Sequence, residues 1–352
     1  MPESKLPPLP QDAVSAEQRR QQIAQIRDYY AQLHRLDTVA FRLRTANRKD
    51  CLERVTPQIG LYAVTPQSLP RKYRSFVREA LDITWARPTA ISVVEGSPAA
   101  QAGLRIGDEV TALNGELIPL TGTAGWMAGW LVQHGRAPVQ VDYRRDGEHR
   151  TTTVTPVLAC SIPVELKVDD AVNAHTDGKK IVMHSAIVAL ARTDAQLAAV
   201  VGHEMAHANL GHLDKKTFNM RLGMIGGAMV DGGLLLGGIS TGGAFTRHLG
   251  AAGANAYSVG FEREADYVGA YYMARAGYSL EGVEEFWRAM GLAHPDSIRF
   301  STTHPATPIR AVQMQMVAKE IAEKKRRGLP LDPELKTIRS AAPDPPSREV
   351  TY

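Results

Sequence analysis

The stretch Val200-Val201-Gly202-His203-Glu204-Met205-Ala206-His207 constrains the fold of this chain more than any other. On an α-helix, positions i and i+4 lie one turn apart on one face, so His203 and His207 can aim two imidazoles at one point. Glu204 sits one step round the helix, within reach of a water held there. Leu197, Val200 and Val201 make the surrounding helix apolar, which buries the site on one side. Thr193-Asp194 caps the start of the helix and Gly211 lies near its end. Two histidines and a glutamate at this spacing also occur on ordinary helices, so a third ligand has to decide.

A hydrolytic zinc site takes three protein ligands and keeps a fourth position open for water, whose proton a glutamate can accept. The pattern HExxHxxGxxH would need Gly at 210 and His at 213, but Leu210 and Leu213 stand there, and His212 is out of register by one. A glutamate route is open. "SVGFEREADYVGAYY" places Glu262 and Asp266 at i and i+4 on a second helix, on one face. Glu262 can complete a His-His-Glu set, and Asp266 can accept the other ring N–H of a ligand histidine. Taken alone, Glu262, Glu264 and Asp266 beside Arg263 also read as a solvated helix face.

HExxH, a long helical insertion and then ExxxD, in that order, resemble metallopeptidase family 48, the gluzincins that include HtpX-like and CAAX-prenyl proteases. The resemblance implies one Zn2+ per chain held by His203, His207 and Glu262, with Glu204 as general base and Asp266 behind His203. "STTHPATPIRAV" matches a later family element, which implies that His304 and Arg310 approach the reacting water and stabilise the oxyanion. His304 also reads as a plain helix-entry residue before Pro305. "VNAHTDG" resembles the segment along whose backbone substrate lies, so Asn173 and Ala174 are candidate substrate contacts. His175, His184 and His212 are expected to be structural or surface residues.

A different texture occupies the middle of the chain. In "GSPAAQAGLRIGDEVTALNG" (96–115), Ser97-Pro98 opens a short helix that Gly103 ends, and Asn114-Gly115 makes a hairpin-type turn after a strand. "AGWMAGWLVQHG" reads as a helix, and "VQVDYRRDGEHRTTTVTP" as strand–turn–strand with Asp146-Gly147 at the turn. This run resembles a PDZ domain of the bacterial protease-associated type. Such a groove takes an extended peptide as an added strand. A degenerate domain serving only as a spacer is the alternative. "EALDITWARPTAI" lacks a carboxylate-binding loop, which places terminal-carboxylate recognition in doubt.

The expected class is therefore α+β: a mainly helical gluzincin domain with a small edge sheet, and a small β-rich PDZ domain. The expected organisation is a disordered lead (1–14), an N-terminal helix and flanking part of the peptidase (15–79), the PDZ domain (80–157), the metallopeptidase domain (158–330) and a proline-rich tail (331–352). Helices are expected at about 258–276, 279–290 and 308–327. If the PDZ domain is inserted into the peptidase, Cys51 and Cys160 meet at its base, and a disulfide between them is expected; two separate buried thiols are the bland reading. A disulfide needs an oxidising compartment, which favours a bacterial cell envelope or periplasm and a removed export signal.

The Gly-, Ala- and Leu-rich stretch 223–256 is expected to act as a flexible lid or to touch a membrane surface, since its apolar runs fall short of the ~20 residues a spanning helix needs. The net charge of +4 is scattered, without a basic patch carrying interleaved aromatics, so no nucleic acid is expected as a partner. The expected activity is zinc-dependent endopeptidase action on unfolded or extended polypeptide, with the PDZ domain capturing substrate or gating access. The rival is a peptide-binding, chaperone-like protein whose zinc site is latent or locked. A prenyl-protein protease is disfavoured because multiple spanning helices are absent.

Overall fold

The protein is described here from a computed structural model, which covers residues 9–69, 71–83, 87–236, 238–255, 258–293 and 308–335. The chain opens on one long helix, α1 (Gln11–Ala46), of 36 residues. At 1.5 Å per residue it is on the order of 54 Å long. Its apolar residues divide between two partners. Ile23, Ile26 and Tyr30 pack with Leu69, Val77, Ile83 and Ile91, whereas Leu36, Val39 and Leu43 join the main core. The helix begins at Gln11, earlier than the expected lead allows; residues 1–8 lie outside the described residues.

A two-residue break separates β1 (Val55–Gln58) from β2 (Leu61–Val64), and α2 (Val77–Leu81) precedes β3 (Thr89–Val93). There follow α3 (Pro98–Gln101), β4 (Glu109–Leu113), β5 (Glu116–Leu117), α4 (Thr123–His134), β6 (Val139–Arg145), β7 (Glu148–Val154) and β8 (Val157–Cys160). The strands β2-β3-β4-β6-β7 form one sheet in that order, with β5 on β4. Local chemistry sets its turns. Ser97 accepts the amide of Ala100 to cap α3, with Pro98 at its first position. Asn114-Gly115 and Asp146-Gly147 all have positive φ, the backbone that a two-residue hairpin requires.

The core of this β-rich domain includes Ile59, Leu61 and Ala63 beside Val110, Leu113, Trp130 and Val141. β2 is hydrogen-bonded along β3, so the sheet takes in residues ahead of the boundary expected at 80. Between the two strands in sequence, Leu69, Val77 and Ile83 pack on α1.

β1 and β8 run antiparallel, Val55 opposite Cys160 and Gln58 opposite Val157, so the chain enters and leaves the β-rich domain through one two-stranded ribbon. A disulfide joins Cys51 to Cys160 at the foot of that ribbon, with the Cα atoms 5.6 Å apart.

The main domain continues with β9 (Val164–Lys167), β10 (Ala174–Thr176), β11 (Ile181–His184) and a short helix not expected from sequence, α5 (Ser185–Leu190). β11 lies between β9 (parallel) and β10 (antiparallel), which leaves β10 at an edge. α6 (Asp194–Asn209) is capped by Thr193, whose hydroxyl accepts the amide of Gln196, and it is buried on every side from Gln196 to Ala208.

The glycine-rich stretch is largely helical where it is described. α7 (His212–Leu236) and α8 (Ala244–Asn255) pair as a hairpin. Asp231 accepts the Thr241 and Thr246 hydroxyls and the amides of Phe245 and Thr246, which fixes the start of α8. Gly227 lies against the backbone of Phe245, where a Cβ would come within 2.4 Å of its oxygen. The helices α9 (Ser258–Arg275), α10 (Val283–Ala293) and α11 (Pro308–Arg326) complete the domain. α10 starts at Val283 rather than 279, after the positive-φ Gly282. Among the described residues no helix is long and apolar enough to cross a membrane. The expected tail falls outside the described residues from 336 onward.

Candidate metal centre

Two glycines let α6 and α9 meet backbone to backbone. A Cβ on Gly202 would stand 3.1 Å from the Gly269 carbonyl oxygen, and one on Gly269 would stand 2.9 Å from the amide nitrogen of His203. Only residues without side chains allow that approach. It sets the His203/His207 face of α6 directly against the Glu262/Asp266 face of α9. Sequence analysis had not singled out either glycine; the signal was their place beside the two motifs, one residue before His203 and three after Asp266.

The ligand candidates converge. His203 Nε2 and His207 Nε2 are 3.0 Å apart. The Glu262 carboxylate reaches both, 3.2 Å from His207 Nε2 and 3.4 Å from His203 Nε2. Among the described residues these three are the one group of potential metal ligands, with ligand atoms all within 4.8 Å of one another. His203, Glu204, His207 and Glu262 are each at most 7 % exposed.

Behind His203, Nδ1 donates to Asp266 Oδ1 at 2.8 Å, which leaves Nε2 facing the centre. Asp266 in turn accepts a fork from Arg310, Nε to Oδ2 at 2.8 Å and Nη2 to Oδ1 at 2.7 Å. The guanidinium carbon sits over Trp287, 3.7 Å from the ring centre, and its third nitrogen is 3.8 Å from Glu262. Two nitrogens of Arg310 thus brace a ligand's partner, while Nη1 is buried without a hydrogen bond among the described residues. His304 lies outside the described residues.

Electrostatics follow from this packing. Burial and the Arg310 charge both disfavour a proton on His203, yet Asp266 and Glu262 outweigh them and raise its pKa to about 9. Burial would raise Asp266, but the charges of Arg310 and His203 pull it down to about 2. Burial lowers His207. The centre thus draws positive charge between two carboxylates, and two imidazole nitrogens with one carboxylate oxygen are the donor set that zinc takes. The residues fit such an ion.

His212, expected to be a bystander, is buried against the centre. Its Nδ1 is 2.9 Å from His207 Nδ1, its Nε2 is 3.2 Å from Glu264, and its ring stacks on Phe261. Asn173 and Ala174 lie at the start of the edge strand β10, which packs beside α6. In the β-rich domain the corresponding edge is β2, an end strand with α4 alongside. Ile59-Gly60, just before β2, accept amides from Ala99 and Val94 and so tie the strand's entry to α3.

Fold and site together define a mixed α+β protein with a candidate metal centre between two helices and a separate β-rich domain. Residues 162–318 match the family model of peptidase family M48, and residues 90–145 match that of a PDZ domain. No curated protein matches the chain. Among solved structures it is similar to the HtrA3 PDZ domain bound to a phage-derived ligand (FGRWV), at 18 % identity and a TM-score of 0.23 over 30 % of this chain and 88 % of that one. The HtrA-type protease AlgW with decapeptide is similar at 17 % identity and a TM-score of 0.23, over 30 % of each chain.

Proposed function

We propose that the chain is a zinc-dependent endopeptidase acting on unfolded or extended polypeptide, with the PDZ domain capturing substrate or gating access. The observation that carries this reading is the convergence of His203, His207 and Glu262 beside a buried Glu204. Zinc held there would supply Lewis acidity to a water and to the scissile carbonyl. Glu204 would take the proton of the attacking water and pass it to the leaving amine. Asp266, oriented by Arg310, holds the ring of His203 in place. The free edge of β10 would take the substrate backbone as an added strand, with Asn173 and Ala174 at its start. The edge of β2 would do the same for a segment held on the PDZ domain.

Glu204→Gln is expected to retain zinc and lose cleavage of an unfolded protein such as casein; retained cleavage would remove Glu204 as the base. The burial of the whole centre favours a second reading, a latent site that opens only when substrate or another trigger arrives. Comparing the intact chain with one trimmed of residues 223–256 separates the two, because a latent enzyme gains activity on trimming and a pure peptide binder does not.

The disulfide supports placement in an oxidising bacterial cell envelope or periplasm. A membrane-surface contact rests on the α7–α8 hairpin. Met229, Leu235, Leu236 and Ile239 stand exposed toward its tip, while Lys215, Lys216 and Arg221 stand at its root. Apolar tips flanked by cations suit anionic lipid interfaces. Co-sedimentation with anionic vesicles, lost in Leu235→Ser/Leu236→Ser, is the expected result; equal sedimentation of both proteins would remove the contact.

A further inference from the structure

A histidine ligand binds a metal through one ring nitrogen only when that nitrogen carries a lone pair, so the proton of the neutral ring must sit on the other. For His203 the nearer partner of Nδ1 is the accepting Asp266 carboxylate at 2.8 Å, with Arg310 Nη2 farther off at 3.2 Å, so the ring donates there. At His207 the Nδ1 lies 2.9 Å from the Nδ1 of His212, and two ring nitrogens can share one hydrogen bond in either direction.

The far side of His212 removes that ambiguity. Its Nε2 is 3.2 Å from Glu264 Oε2. A carboxylate oxygen accepts and a ring N–H donates, so Nε2 is the donor of this pair. In the neutral ring the Nδ1 of His212 then carries the lone pair and accepts from His207 Nδ1–H. His207 is left with its lone pair on Nε2, the nitrogen that faces His203 and Glu262. Phe261 stacks on the His212 ring at 4.6 Å and 16°, which holds its plane in this alignment.

We infer that Glu264 and His212 form a relay that sets the tautomer and orientation of His207 for metal binding, as Asp266 and Arg310 do for His203. His212 is a positioning residue and not a ligand. Two independent chains of partners, one from α9 and α11, the other from α7 and α9, therefore converge on the two histidines of α6. The inference rests on the zinc-site reading above, and the test keeps the two apart.

The readout is zinc affinity, measured by chelator competition on the full chain, with the fold checked by circular dichroism. His212→Gln keeps an acceptor and a donor in line, whereas His212→Phe keeps the aromatic shape and loses both. If the relay holds, His212→Phe weakens zinc binding by about 10- to 100-fold, the usual cost of losing such a partner, and His212→Gln stays within a few-fold of wild type. If His212 only fills space, the ranking reverses, and Phe is the better replacement. Should His212→Phe fail to fold, Glu264→Ala, made at a half-buried acid, is expected to weaken zinc in the same direction; unchanged affinity in that variant would overturn the relay. Wild type that takes up no zinc would overturn the zinc-site reading and the relay with it. Tight wild-type binding matched by His212→Phe would overturn the relay alone.

Discussion

Gly269→Ala tests whether the backbone contact between α6 and α9 builds the centre. The added Cβ would sit 2.9 Å from the His203 nitrogen, 3.0 Å from the Gly202 carbonyl carbon and 3.2 Å from its oxygen. Carbon atoms in contact prefer about 3.5–4.0 Å, so the two helices must part by roughly half an ångström or more. Backbone atoms cannot rotate away as a side chain would, so the strain takes the upper part of the about 1–3 kcal/mol range for overpacking. Replacing a helical glycine returns about 1 kcal/mol. The net expected loss is about 2 kcal/mol, a fall in Tm of roughly 4–8 °C. A metal site tolerates only about 0.2 Å in its ligand distances, so zinc affinity should fall with it. Gly260→Ala is the control. It lies on the same helix with nothing within 4 Å of its Cβ, and should gain about 0.5–1 kcal/mol. Thermal melts and chelator competition on both variants decide. Gly269→Ala that melts and binds zinc as wild type does would refute the contact's role.

Arg310→Met should cost about 3–5 kcal/mol in urea unfolding, because it strands the buried Asp266 carboxylate, and should weaken zinc; a variant of normal stability and zinc content that loses only kcat would favour the oxyanion role. Replacing both Cys51 and Cys160 by Ser should cost about 2–5 kcal/mol, since the bridge closes a loop of 109 residues; urea midpoints indifferent to reductant would contradict this. Burial raises the Asp37 carboxyl to about 8, against a Ser92 hydrogen bond and the Arg44 charge that lower it. The folded chain then keeps a proton that the unfolded chain releases above about 4, so this stability is fully present at low pH and is lost as pH climbs toward 8. Asp37→Asn should flatten that slope in melts from pH 5 to 8, and an unchanged slope would exclude the residue.

What was legible in the sequence was local. His203, His207, Glu262 and Asp266 could be placed on two helix faces because a period of 3.6 is written in consecutive residues. The PDZ turns were legible because Asn114-Gly115 and Asp146-Gly147 need particular backbone angles. Pairings across long separations were not. β2 lies beside β3 although residues 65–88 intervene, and nothing in Leu61–Val64 announces that partner. Arg310 could have faced any of several carboxylates, and only the packing of α11 on α9 gives it Asp266. His212 was set aside because it failed a ligand spacing, while its role is to touch a ligand. Glycines in 223–256 suggested flexibility, yet Gly227 serves close packing of two helices. The Cys51–Cys160 bridge is the exception, legible at a distance because an inserted domain brings its two ends together.

The central claim is that His203, His207 and Glu262 hold one zinc. Metal analysis of the purified protein beside Glu262→Ala tests it most directly. One zinc per chain in the wild type, lost in the variant, is the expected result. No metal in either protein, or equal zinc in both, would contradict the account.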